Sequence, residues 1–413
     1  MSGAFCRNYI QTTNRVHLKL GGFTFDTFSR VEIARDLQDI SGTFAMECVD
    51  EARLRQALPV WLGASTISQQ SLDSGLACEI RIDGDPVLIG WVETLELDWD
   101  ADKIGARITG RDRTGDLVEC AAVPDGPAEF RNVDLLYVAK AIAAPFGIPV
   151  RADVDIGAPF DRLASAPHET AMSLLEKATR QRSVLLTSDD VGGLLLTRGG
   201  KTRAPAPLVT GDNMEKLSFK RDFTHRFSRY IIKGQSGRHR GGSAALDHTV
   251  VPEDGAEGAP DAMGEASTEE ALGTLMTGEA RDPEMKRYRP IVRVVRTQSG
   301  MSSVQEQAEW MLRVARGQSE NLRATVLDWR DGPDRKLWLP NQLTLVNDRY
   351  SGLNKDMLIA GVQYRFDQNG LSSEVRLAGP TAFDRINEAS RRRHRYRDQS
   401  QSLDASVPSI KAH

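Results

Sequence analysis

The chain has 413 residues, a formal net charge of −4 and a charged fraction of 27%. That length is too great for one ordinary core and calls for roughly two to four domains. The slight acidity excludes a chain-wide basic nucleic-acid binder, and the 40% apolar fraction is that of a globular protein. The segment from Met1 to Thr13 is polar and no apolar run reaches about 18 residues. Neither a secretory signal nor a membrane helix is therefore expected, and the chain should stay where it is made unless something assembles it elsewhere. Cys6, Cys48, Cys78 and Cys120 form no CxxC pair and no zinc-ligand spacing. Cys48 and Cys78 read as small apolar strand residues.

The first elements are strands. Val16, Leu18 and Leu20 alternate with His17 and Lys19, and Gly21-Gly22 ends the run. Val31 to Ile33, Phe44 to Val49 and Cys78 to Ile82 read likewise. Asp83-Gly84-Asp85 is a hairpin turn signal, followed by strands over Val87–Leu97 and Ala106–Thr109 with a polar turn between. Strands at this spacing indicate a sandwich or barrel.

The texture changes after Gly115. Asp134 can cap a helix with Leu135, Val138, Ala139, Ile142 and Ala143 at helical period, closed by Pro145 and Gly147. A second helix spans about Glu169 to Arg182, with Met172, Leu175, Ala178 and Thr179 on one side. Leu194 to Leu196 is a short strand, and Lys201 to Pro207 a linker. Strands resume at Leu217–Phe219 and Tyr230–Lys233. The Gly- and Ala-rich stretch from Gln235 to Glu284 carries Glu253, Asp254, Glu257, Asp261, Glu265, Glu269 and Glu270 and is expected as a mobile surface excursion. A helix with Ser303 and Glu306 at capping-box spacing follows, with Ala308, Met311, Leu312 and Ala315 on one face. Strands then occupy Thr325–Leu327, Leu343–Val346, Met357–Phe366 and Glu374–Leu377.

One similarity is internal. Leu88-Ile89-Gly90-Trp91-Val92-Glu93 resembles Leu358-Ile359-Ala360-Gly361-Val362-Gln363, and Arg107-Ile108-Thr109-Gly110 resembles Arg376-Leu377-Ala378-Gly379. The offsets of the two matches differ by one residue, as a loop deletion would produce. Gly90, Gly110, Gly361 and Gly379 are the candidate barrel-repeat positions, where a strand bends or another backbone approaches. Three chains with such a repeat would present six similar barrels, enough for a ring of near six-fold outline.

Signals for chemistry fail on inspection. His168-Glu169 lacks the second histidine of a zinc-protease helix. Gly200-Lys201-Thr202 resembles the end of a phosphate loop, but Leu195 replaces the earlier glycine and Arg203-Ala204-Pro205 cannot open a helix. Asp98, Asp100 and Asp102 alternate like a calcium loop, but Lys103 and Thr109 stand where glycine and glutamate are needed. No catalytic residue, metal site or cofactor is assigned, and the chain is read as non-enzymatic. Trp91, Trp99, Trp310, Trp329 and Trp338 lie on strands or helices and read as packing residues rather than a carbohydrate platform. The run Arg391-Arg392-Arg393-His394-Arg395-Tyr396-Arg397 reads as a solvated tail or as an electrostatic clamp on an acidic partner.

Gly110-Arg111-Asp112-Arg113-Thr114-Gly115-Asp116-Leu117-Val118-Glu119-Cys120-Ala121-Ala122-Val123 resembles the strand-to-linker signature of the baseplate hub of Mu-like contractile phage tails. Ala144-Pro145-Phe146-Gly147-Ile148-Pro149-Val150 is similar to the same family's helix exit. Phe227 to Gly234, Arg287 to Ile291 and Leu337-Trp338-Leu339-Pro340-Asn341 also match, in order. The resemblance runs from about Val16 to about Pro380. It implies a structural hub: a homotrimeric ring that adapts the six-fold tail tube to the three-fold central spike and surrounds the DNA exit path. Partners implied are the spike, the tail tube and baseplate wedge proteins, with DNA passing through the lumen and no membrane insertion. The location implied is the virion tail baseplate, assembled in the host cytoplasm. The alternatives are a tail-associated cell-wall hydrolase and the hub of a headless phage-derived injection machine.

The expected fold is mainly β with an α/β insert: two similar β-barrel domains plus a mixed α/β domain. The expected bounds are 14–114 for the first barrel and 115–205 for the α/β domain, joined by the helix 302–320. The second barrel takes 206–234 and 323–381, the mobile acidic insertion 235–285, and the basic C-terminal tail 382–413.

Overall fold

The computed structural model describes residues 16–20, 23–48, 76–99, 104–122, 129–166, 168–182, 184–189, 191–200, 202–236, 275–297 and 304–383. Gly21-Gly22, the acidic residues between 253 and 270, Ser303 and the arginine run at 391–397 lie outside the described residues. The fold is mainly β with an α/β insert, and the chain divides into two compact units, 1–226 with 313–386 and 227–312 with 387–413.

The strands up to the insert are β1 (Val16–Leu20), β2 (Phe23–Phe25), β3 (Phe28–Asp36), β4 (Thr43–Cys48), β5 (Leu76–Ile82), β6 (Asp85–Trp99) and β7 (Ile104–Asp112). The insert holds α1 (Gly115–Glu119), β8 (Glu129–Val133), α2 (Leu135–Ala143), β9 (Val150–Ala152), β10 (Phe160–Ala164), α3 (Ala171–Arg182), β11 (Leu185–Ser188) and β12 (Leu194–Thr197). Then come β13 (Thr202–Arg203), β14 (Leu208–Val209), β15 (Met214–Arg221), β16 (Arg229–Ser236), β17 (Leu275–Arg281), β18 (Pro290–Thr297) and α4 (Val304–Ser319). The chain closes through β19 (Glu320–Leu327), β20 (Arg330–Asp331), β21 (Lys336–Leu337), β22 (Gln342–Asp348), β23 (Leu353–Asp367) and β24 (Gly370–Ala378).

In the first unit one sheet runs in the order β15-β19-β24-β23-β3-β4-β7-β6-β5-β1-β2, with β22 on β23 and β13 and β14 on β22. The two expected β regions are thus continuous, joined where β23 pairs antiparallel with β3 from Gly361↔Asp36 to Phe366↔Val31. Among the described residues the hydrogen-bonded path does not return on itself. Period-two patterning puts Val16, Leu18 and Leu20, Val31 and Ile33, and Phe44, Met46 and Cys48 inside. Leu322, Ala324 and Val326 with Val375 and Leu377 do the same on the later strands, and all belong to one contiguous apolar cluster.

The insert has its own core. Asp134 Oδ1 accepts the Tyr137 N–H at 2.7 Å and caps α2, whose Leu135, Val138, Ala139, Ile142 and Ala143 are buried. A 3-10 turn through Pro145 ends it at Gly147, φ +64°. α3 buries Leu174, Leu175 and Ala178 against this face, and β9, β11 and β12 complete the layer. Ile40, from the β3–β4 loop, enters the same cluster.

Three expected boundaries change. β16 does not join the second β region; it pairs with β17 antiparallel and β18 parallel in a separate three-stranded sheet of the second unit. Part of the expected excursion is a strand, since Leu275–Arg281 runs along β16. Among its described side chains the buried positions are Gly278 and Ala280, too small to announce a strand by hydrophobic pattern. The helix α4 supplies no residue to the insert's core; its later turns pack on the end of β24 instead, where Gly379 N–H donates to Gly317 O at 3.1 Å.

Candidate functional site: clamps and the repeated hairpin

Two polar clamps hold the insert to the large sheet. The first is built on Asp112, the last residue of β7, which is 3% exposed. Its Oδ2 accepts the Gly42 N–H at 3.0 Å and the Ser188 hydroxyl at 2.9 Å. Its Oδ1 accepts the Thr114 N–H at 2.9 Å, with the Thr114 hydroxyl 2.6 Å away. One carboxylate therefore ties the β3–β4 loop, the start of α1 and the end of β11 to β7. Burial pushes the Asp112 carboxyl above its usual range, and the bonds from Thr114, Gly42 and Ser188 oppose that shift. Beside it, Arg113 N–H donates to Ile89 O at 3.2 Å and Arg35 Nη2 to Asp189 O at 2.6 Å. Gly192, at φ +84°, lies so close to Ile89 that an added Cβ would stand 2.5 Å from its carbonyl oxygen. Arg111 bridges Glu93 and Glu119 on the surface. The segment from Gly110 to Asp116 is thus the hinge plate between sheet and insert.

The second clamp is Asn341, held at φ +66° after Pro340. Its main-chain N–H donates to Ile359 O at 2.9 Å on β23. Its side chain accepts the Gly200 N–H at 2.9 Å and donates to Arg198 O at 3.0 Å. Asparagine tolerates the left-handed region and can read a backbone donor and acceptor together. At the phosphate-loop look-alike, Gly200 ends a turn at the exit of β12 and its N–H is committed to Asn341; Lys201 lies outside the described residues, and a strand, β13, follows instead of a helix. A cleft of about 270 Å³ lies between the clamps, with Arg35, Arg151, Asp189, Thr197 and Asn341 on its walls.

The two hairpins expected to repeat have strands of equal length. β6 and β23 are both 15 residues long, β7 and β24 both nine, and each hairpin carries one irregularity in register. The residue pairing differs between them: Arg107 faces Glu96, whereas Arg376 faces Gly361. Gly90 lies between Asp112 of β7 and Cys78 of β5, and Gly110 faces Val92 on the same hairpin. A Cβ on Gly90 would meet the Arg111 carbonyl and Asp112 Cα, and one on Gly110 would meet the Trp91 carbonyl and the Phe44 ring. Gly361 sits at the seam, between Arg376 and Asp36, whose side chains form an ion pair. Gly379 follows β24 and lies against Gly317 of α4. The structure thus brings Gly90 and Gly110 into one hairpin, and places Gly361 and Gly379 at a seam and at a helix contact.

The remaining candidates do not converge. Asp98 is an exposed residue near the end of β6, and Asp100 and Asp102 lie outside the described residues. Among the described residues no three His, Cys, Asp or Glu side chains group to hold a metal ion, and no helix is long and apolar enough to cross a membrane. Cys48 and Cys78 are buried, and burial pushes the Cys78 thiol up to about 12. The clamps escaped sequence reading because their partners are far away in the chain; Pro340-Asn341 was the one local signal for a left-handed turn.

The similarity to known proteins follows the same anatomy. Residues 15–112 match the family model "Mu phage baseplate assembly protein GpP-like, N-terminal". Residues 114–198 match "Baseplate hub protein gp44-like, second domain", and residues 299–386 match "Mu phage baseplate assembly protein GpP, fourth domain". The boundaries at 112 and 198 fall on the two clamps. Over 400 residues the chain is 28% identical to the baseplate hub protein gp44 of Escherichia phage Mu, covering 96% of each. Among solved structures it is similar to the 43 kDa tail protein of prophage MuSo2 from Shewanella oneidensis, at 28% identity and a TM-score of 0.68, over 90% of this chain and 100% of that one. It shares its fold with a tail protein from Neisseria meningitidis, at 21% identity and a TM-score of 0.66, over 90% and 98% of the two chains.

Proposed function

We propose, from the premise that this chain belongs to the baseplate hub family of Mu-like phage tails, that three copies form a ring in which the two long hairpins of each chain supply six similar elements. The ring adapts the six-fold tail tube to the three-fold central spike and surrounds the path of DNA. The work is docking and symmetry matching without catalysis, and the particle is put together in the host cytoplasm. The observation that supports this reading most is the repeat itself: two hairpins of equal strand lengths on one continuous sheet, in a chain similar over its length to a phage Mu hub. A closed ring of three chains with an internal two-fold repeat is a cheap way to approximate six-fold symmetry. Apolar surface repeated by symmetry would supply the affinity. Sedimentation velocity of the full chain, alone and with tube and spike proteins, should show a species of three chains. A chain that stays monomeric under all of these conditions would overturn the ring.

A further inference from the structure

The three-stranded sheet of the second unit treats its two edges differently. On β17 the edge is closed by α4: Glu279 N–H donates to Gln305 Oε1 at 3.0 Å and Gln305 Nε2 donates back to Glu279 O at 3.0 Å. One side-chain amide thereby imitates a neighbouring strand. Gly278 lies against the main chain of Val304 and Gln305, with no room for a Cβ. On the other side, β18 pairs with β16 over eight residues, and no strand pairs with its outer edge among the described residues. That edge carries Val292 and Val294 on one face, 52% and 77% exposed, and Tyr288 just before it is 76% exposed. Proteins blunt such edges with inward charges, proline or a bulge; in β18 proline stands only at the first position, Pro290, and no bulge interrupts the pairing with β16 from Arg229↔Pro290 to Ser236↔Thr297.

The charge of this sheet opposes that of the chain. Between Arg229 and Lys233, and between Thr277 and Arg293, there are seven basic and three acidic side chains, against a net −4 for the whole sequence. Glu279 is paired with Arg229 and Arg281, which hold its carboxyl at about 2, and Asp282 is buried. Lys233, Lys286, Arg287 and Arg293 remain exposed around the open edge. The sheet edges of a second copy are poor occupants, because its open edge carries the same cations and its β17 edge is taken by Gln305.

We infer that the outer edge of β18 accepts an extended acidic segment of a different protein, added as a fourth strand. Main-chain hydrogen bonds along β18 would give affinity. Val292 and Val294 would cover alternate apolar side chains, and the surrounding cations would select carboxylates. The inference stands on the second unit alone and does not depend on the hub reading.

The test uses the full chain and a blocked peptide of alternating valine and glutamate long enough to span β18, read by amide hydrogen exchange. The peptide should slow exchange over 291–297 and not along the large sheet, and the effect should shrink with added salt. The Val292→Lys, Val294→Lys double variant changes only exposed positions and should weaken binding by about tenfold or more, with its circular dichroism unchanged. Four results would overturn the inference: no protection at β18, equal protection by a valine–lysine peptide, protection by single-stranded oligonucleotide in place of the peptide, or a concentration-dependent self-association that the double variant abolishes.

Discussion

In the first half of the large sheet the β6–β7 hairpin closes over strand residues, Phe44, Met46, Ile80, Ile82 and Ile108 among them. In the second half the hairpin of equal strand lengths, β23–β24, closes over Trp329, Trp338 and Tyr364. Both tryptophans come from the connection between β19 and β22, and both are fully buried. Trp329 Nε1 lies 3.0 Å from the carbonyls of Arg365 and Ser372, its ring meets Tyr364 edge-on at 6.0 Å, and the Tyr364 hydroxyl donates to the Trp338 carbonyl. Equal strand lengths therefore do not dictate equal cores. The first half is filled by its own strands; the second is plugged by a loop, which makes its packing depend on a segment that must be placed as a unit.

The largest expected consequence is a difference in sensitivity. Trp338→Ala removes one of the two plug tryptophans and should cost about 3–5 kcal/mol of stability, measured by denaturant unfolding. Ile80→Val, in the first half, should cost only about 0.5–1.5 kcal/mol. A loss at Trp338 no larger than that of the single methyl group at Ile80 would mean that the loop contributes little to this core.

A smaller contrast concerns the glycines. At Gly90 an added methyl meets backbone, the Arg111 carbonyl and Asp112 Cα, which cannot step aside. At Gly361 two of the three nearest atoms are Asp36 Oδ2 and Arg376 Nε, the ends of flexible side chains. Gly90→Ala should therefore cost about 1–3 kcal/mol, and Gly361→Ala less, at the expense of the Asp36–Arg376 ion pair. The reverse order in thermal melts would show that the seam between β3 and β23 is the more rigid of the two places.

Much of this was legible in the sequence where the signal is local. The alternation in Val16–Leu20 and Phe44–Cys48, the Asp134 cap, the buried face of α2 and the Asp83-Gly84 turn all depend on residues within one element, and the structure has each of them. Trp329 and Trp338 read as packing residues and are buried. What stayed hidden depends on long separations. β16 pairs in parallel with β18, about 60 positions on, and nothing local marks that crossover. Asp112 finds Gly42 and Ser188 70 and 76 positions away. The repeat was read from matching residues, yet Arg107 and Arg376 face different neighbours, because a bulge or a short loop shifts register while strand length stays the same.

The smallest expected effect separates the turns that lead into the two long strands. β5 turns into β6 through Asp83 and Gly84, at φ +52° and +90°, a two-residue turn that the glycine makes easy. β22 turns into β23 around Asp348, whose carboxylate accepts the Ser351 hydroxyl and the Thr210 hydroxyl, each at 2.6 Å, and the Ser351 N–H at 2.9 Å. These bonds, Ser351 first and then Thr210, hold the Asp348 carboxyl at about 2 against an ordinary value of 3.8. A carboxyl with a lowered folded value favours folding above its unfolded value and loses that contribution as pH falls. The stability supplied at Asp348 should therefore be complete above about pH 4 and fade toward pH 2. Melting temperatures of the parent chain and of Asp348→Asn should differ most above pH 4 and converge toward pH 2, since the amide cannot titrate. A gap that stays constant over that interval would show that the turn is held by its main chain, as at Asp83-Gly84, and that the carboxylate adds nothing of its own.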